Sequence, residues 1–124
     1  MPADTTSTEA DSLLDLALDQ MAAGNPSAAI PYLRQALTQN PNHPAATHAL
    51  LRALEDTNQL PEALALARNL IAIDPDDPLA HTRLSILLQK SGDISAAEAA
   101  SARARILDWK RQLNSSIQST EGPA

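Results

Sequence analysis

Three histidines and a short acidic run are the side chains of this 124-residue chain best suited to chemistry. His43 and His48 stand five apart across an expected helix start, and His81 lies one sequence repeat further on. That interval chelates poorly, because helical neighbours sharing a face are three or four residues apart. The three imidazoles are therefore read as structural or solvent-facing. Asp74, Asp76 and Asp77 resemble the start of a calcium loop, but the glycine and closing glutamate such a loop needs do not follow. Capping of the next helix is the better reading. There is no G-x-S-x-G, P-loop or H-E-x-x-H, and the absence of cysteine removes thiol nucleophiles and disulfides. Neither catalysis, nor a metal, nor a cofactor is expected.

The scaffold that would carry any site is legible in the composition. Hydrophobic residues make up 44%, yet phenylalanine is absent and Tyr32 and Trp109 are the only other aromatics. The apolar mass is leucine and alanine, which favour helix over strand. The length suits one small domain. A formal charge of −6 argues against binding a nucleic-acid backbone or an anionic membrane. The opening MPADTTSTEA has neither a basic start nor an apolar run, and no apolar stretch approaches membrane-spanning length. Cytoplasmic residence is expected.

A shift of 34 residues lays the chain on itself. NPNHPAATHAL from Asn40 returns as DPDDPLAHTRL from Asp74, and DWKRQLNSSIQ from Asp108 loses both prolines. Leu16, Leu50 and Leu84 align, as do Ala29, Ala63 and Ala97, and Ala36, Leu70 and Ala104. Gly24, Asn58 and Gly92 form a column of residues that tolerate the left-handed conformation ending a helix. Pro44 and Pro78 suit a first helical turn, Asp77 suits a cap, and Ser95-x-x-Glu98 reads as a capping box. Leu50 and Leu54, and Leu84, Leu87 and Leu88, keep helical spacing. The pattern predicts an all-α chain of six antiparallel helices near 10–23, 26–39, 44–57, 60–73, 78–91 and 94–115. The alanine columns mark close helix crossings.

These features resemble the tetratricopeptide repeat, whose pattern is W-x2-L-G-x2-Y, A-x3-F and a late proline. Leu13-x2-Leu16-Ala17-x2-Gln20, Ala29-x3-Leu33 and Pro41 meet it in the first unit. Thr47-x2-Leu50-Leu51-x2-Leu54, Ala63-x3-Ala67 and Pro75 meet it in the second. His81-x2-Leu84-Ser85-x2-Leu88 and Ala97-x3-Ser101 meet it in the third, without the aromatic columns. The resemblance implies a three-repeat helical solenoid. Its parts would be a disordered tail at 1–9, repeats at 10–43, 44–77 and 78–117 with the last helix extended, and a disordered tail at 118–124.

The resemblance also implies a concave groove lined by the first helix of each unit. It would present Asp11, Leu14, Leu18 and Met21, then Ala45, His48, Arg52 and Glu55, then Leu79, Thr82, Ile86 and Gln89, with Arg83 beside them. Leu14, Leu18 and Met21 independently make an i, i+4, i+7 stripe. With Leu13, Leu16 and Ala17 assigned to the core, the first helix becomes apolar on two faces. Either the stripe binds a partner, or the N-terminal tail covers it, or the core face is rotated. The chaperone-binding carboxylate clamp of the family is not expected, since Leu14, Leu18, Ala49 and Leu79 stand where it needs polar groups and only Arg83 matches. Ile106, Trp109, Leu113 and Ile117 extend an apolar stripe beyond the third unit. They are expected to shield that unit as a cap, or else to form an oligomer interface. The functional expectation is a non-enzymatic adaptor that binds a protein or peptide in its groove. The alternative is a module that self-assembles through its terminal helices, with a weak homodimer possible.

Overall fold

Proline and the turn column set the local boundaries. The computed structural model describes the backbone of residues 2–120 and the side chains of 8–117, and everything described is helix, turn or loop. The helices are α1 (Pro2–Ala22), α2 (Pro26–Gln39), α3 (Pro44–Asp56), α4 (Leu60–Ile73), α5 (Pro78–Lys90) and α6 (Ile94–Thr120). Pro26, Pro44 and Pro78 stand in the first turns of α2, α3 and α5, where a missing N–H breaks no helical bond. Gly24, Asn58 and Gly92 all adopt positive φ, at 84°, 59° and 90°. The column of left-handed residues is thus conformational, as its residue types predict. The Asn40 and Asp74 carboxamide and carboxylate oxygens accept from the backbone N–H groups of Asn42 and Asp76, forming the same turn twice.

Three local expectations change. α1 starts at Pro2 instead of residue 10, because no glycine or proline follows Pro2 before Gly24 and propagation of a formed helix costs little. The expected tail at 1–9 is therefore helical from residue 2, while the expectations for residue 1 and residues 121–124 lie outside the described residues. α6 begins at Ile94, so its cap is Asp93, whose carboxylate accepts from the N–H of Ala96 at 3.2 Å. Ser95 and Glu98 lie inside the helix and form no box at its end. At the other end α6 runs past 115 to Thr120, so residues 118–120 of the tail expected at 118–124 are helical, in accord with the lack of any stop before Gly122.

The chain divides into two compact units, Met1–Leu66 and Ala67–Ala124, with the division inside α4. In the first, α1 packs on α2, and α2 on α3. Its core holds Ala17, Ala29, Leu33, Leu50, Leu51 and Leu54, all at or below 5% exposure. Arg34 on α2 donates to both carboxylate oxygens of Glu62 on α4, at 2.9 and 3.0 Å. Both partners are about half exposed, so the pair contributes on the order of 0–1 kcal/mol. In the second unit α5 packs on α6. Leu87, Leu88, Ala97, Ala100, Ala104 and Leu107 make that core. The Ser85 hydroxyl donates to the Ala97 carbonyl at 2.7 Å, tying the two helices where the small alanine lets them approach.

Candidate functional site

The faces of α1 follow from which of its residues are buried. Ala10 and Ala17 are fully buried, with Leu13, Leu14, Gln20 and Met21 half-buried around them. Leu16 is 47% exposed and Leu18 is 45% exposed. The core face is therefore rotated from Leu13–Leu16–Ala17 toward Ala10–Leu14–Ala17–Met21. Leu16 leaves the core, and of the stripe Leu14–Leu18–Met21 only Leu18 is exposed. The reason is steric: Ala10 and Ala17 recur at seven residues, and a close crossing admits alanine where leucine would not fit.

Asp11 and Leu18 share one flank of α1, also seven residues apart. Asp11 meets α3 there. Its Oδ1 lies 2.6 Å from Nε2 of His43, the residue capping α3, and Nδ1 of His43 accepts from the N–H of Ala46 at 3.2 Å. A ring that accepts at Nδ1 carries its hydrogen at Nε2, so His43 donates to Asp11. One side chain closes the α3 N-terminus and ties α1 to it. Sequence reasoning gave His43 a structural or solvent-facing role without naming the cap, although its place immediately before Pro44 is the position of one. On α3, Arg52 is exposed, with His48 and Glu55 half-buried on the same face. Unit 1 thus places an exposed leucine, acidic groups at Asp11 and Asp15 and a guanidinium on its α1 and α3 surfaces.

The expected residues of α5 form their own stripe in unit 2. Thr82 and Gln89 are exposed, Arg83 and Ile86 half-buried, and the Thr82 hydroxyl donates to the Pro78 carbonyl. Leu79 is 46% exposed. A cavity of about 360 Å³ opens between α5 and α6, lined by Leu79, Thr82, Ser101 and Arg105 among others. His81 is buried, and its Nε2 lies 2.9 Å from the Pro75 carbonyl, to which it donates. Its role is to hold the start of α5 against the preceding loop. Among the described residues no three His, Asp or Glu side chains converge as a metal site.

The cap expected from Ile106, Trp109 and Leu113 is not what α6 builds. The buried stripe runs Ala97, Ala100, Ala104, Leu107. Ile106 and Trp109 each lie two residues beyond a member of it, about 200° around the helix. They consequently face away from α5, at 45% and 61% exposure, with Leu113 at 42% and Ile117 at 53%. Most of the indole is open to solvent.

A family model described as tetratricopeptide repeat matches residues 20–82, half of the chain. The chain belongs to the tetratricopeptide-repeat family. Solved structures with the same repeat agree on the fold. MamA superposes with a TM-score of 0.79 at 19% identity, covering 86% of this chain and 62% of that one. YrrB, described as a tetratricopeptide-repeat protein with an unusual peptide-binding site, gives 0.78 at 20% identity, covering 90% and 57%. The Yersinia enterocolitica type III secretion chaperone SycD, in complex with a peptide of the translocator YopD, gives 0.74 at 17% identity, covering 88% and 86%. The chain spans less than two thirds of the MamA chains it matches, 59%, 62% and 56%. No curated protein matches it in sequence. No helix among the described residues is long and apolar enough to cross a membrane.

Proposed function

We propose that this tetratricopeptide-repeat chain is a non-enzymatic, cytoplasmic protein-interaction module that takes up a peptide or amphipathic helix. The surface is the one unit 1 builds from α1 and α3; in unit 2, α5 offers a separate surface at Thr82, Arg83, Ile86 and Gln89. The observation that carries the reading is the exposure of Leu18 on the flank that Asp11 and His43 hold against α3. An exposed leucine on α1 and an exposed guanidinium on α3 suit a ligand with both apolar and acidic side chains. His48 and Glu55 lie half-buried on the same face of α3 as Arg52. SycD with its bound translocator peptide and the peptide-binding YrrB support the class of ligand, since both carry the same fold.

The test starts from amphipathic peptides selected for binding to the native chain. Leu18→Ser and Arg52→Glu, each checked for unchanged helicity by circular dichroism, should weaken the selected peptides at least tenfold. Peptides that bind both variants as tightly as the parent would remove this face from consideration.

A further inference from the structure

α6 carries two apolar stripes, and its own unit buries only one. Ala97, Ala100, Ala104 and Leu107 form the core with α5. Ala99, Ala102, Ile106 and Trp109 each stand two residues beyond a member of that set, about 200° around the helix. Both stripes change character at the same place. Continued past Leu107, the buried side becomes Arg111 and Asn114, and the Arg111 guanidinium donates to the Asp76 carbonyl at 3.5 Å. Continued past Trp109, the outer side becomes Leu113 and Ile117, 42% and 53% exposed. Large apolar side chains thus begin on the outer side where the core ends on the inner one.

The width and the charges of the outer stripe decide what suits it. Alternation at three and four residues gives a narrow seam, of the kind that pairs with one helix. The formal charge of −6 opposes an anionic lipid surface. Arg103 and Lys110 run along one edge of the seam and Arg105 along the other, all exposed. Among the described residues none of the three pairs with a carboxylate, and Arg105 donates to the Ser101 hydroxyl at 3.0 Å. Glu98 is exposed on the Arg105 edge, about one turn before Ala102. A second α6 answers these charges poorly. Parallel, it sets Glu98 against Arg103 but Arg105 against Lys110, so gain and loss offset. Antiparallel and centred on Trp109, it brings Arg103 toward Lys110, and Glu98 faces the mate's last turn, which holds no cation. A helix with carboxylates on both edges meets Arg103, Arg105 and Lys110 together, and Glu98 falls beyond the large side chains.

We infer that the outer face of α6, from Ala102 to Ile117, docks one amphipathic helix of another protein, apolar along its seam and acidic along both edges. Ile106, Trp109 and Leu113 supply the apolar contact, and Trp109, a large aromatic 61% exposed, is its anchor. Arg103, Arg105 and Lys110 select the acidic edges. Glu98 favours a basic residue at the end of the partner lying beside it, which fixes the partner's direction. The attraction is between exposed charges and weakens as salt rises. This surface belongs to unit 2 and does not rest on the peptide surface of unit 1.

Trp109 is the only tryptophan, so its emission reports on this seam. Two tryptophan-free, three-heptad peptides serve as probes, each with a leucine seam, one with glutamate and one with lysine on both edges. The glutamate peptide should shift the emission of the full chain to the blue and bind at least tenfold more tightly than the lysine peptide. A variant with Arg103→Glu, Arg105→Glu and Lys110→Glu, checked for helicity by circular dichroism, should reverse that preference. Arg52→Glu on α3 should leave both affinities unchanged. Equal affinity for the two peptides, binding of neither, or a preference that survives the triple reversal would overturn the inference. Loss of the glutamate peptide on Arg52→Glu would do the same by placing it on unit 1. A parent whose mass doubles in sedimentation, with blue emission and no peptide, would give the seam to a second copy instead. Anionic phospholipid vesicles that shift the emission when the glutamate peptide does not would give it to a lipid surface, and either result sinks the foreign helix.

Discussion

His43 accepts at Nδ1 and donates at Nε2, so one ring serves as the cap of α3 and as its tie to Asp11. Losing a capping side chain costs about 0.5–2 kcal/mol. His43→Ala should show that loss in urea unfolding, with His43→Asn between it and the parent, since an amide can cap but cannot reach Asp11 in the same way. Identical unfolding of the alanine variant and the parent would show that the ring cap contributes nothing. Gly92 offers a separate test, of backbone strain. A Cβ added there meets nothing within 4 Å, so the φ of +90° is the only penalty. Gly92→Ala should cost about 1–2 kcal/mol. The turn column was legible because glycine and asparagine announce positive φ by type. The bond from His43 to Asp11 was not, because its partner is 32 residues away.

Helices fit together here through alanine. Ala97 is 5% exposed where Ser85 bonds to its carbonyl, so Ala97→Leu should overpack the α5–α6 crossing and cost about 1–3 kcal/mol in thermal or urea unfolding. Leu87 is fully buried, and Leu87→Ala should cost about 2–5 kcal/mol. Trp109→Ala should change monomer stability by less than about 0.5 kcal/mol, as for an exposed side chain away from the core. A large loss there would return Trp109 to the shielding role expected from sequence. The exposure of Trp109 has a geometric reason. Trp109 follows Leu107 by two residues, and two residues turn a side chain to the far face. An apolar stripe on a helix does not by itself say which neighbour, if any, packs on it.

Across the molecule, a tetratricopeptide chain presents surface that the two compact units do not themselves consume. If α1 and α3 engage an acidic amphipathic ligand, Arg52→Glu should weaken binding and also flatten its dependence on salt, because screening acts on exposed charge pairs. Titration of a selected peptide at two ionic strengths measures both effects, and an unchanged salt slope would exclude Arg52 from the contact.

The repeat, the helix order and the turns were determined by sequence alone. Their causes are local: the proline ring in a first turn, positive φ at Gly24, Asn58 and Gly92, and leucines at helical spacing. Tertiary structure decided the rotation of α1 and α6 about their own axes. Both helices have apolar residues on more than one side, so several rotations satisfy their patterns equally well. Packing selects the one in which small residues meet the neighbour, Ala10 and Ala17 on α1 and Ala97, Ala100 and Ala104 on α6. That choice turns Leu16, Leu18, Ile106 and Trp109 outward, where another molecule can reach them.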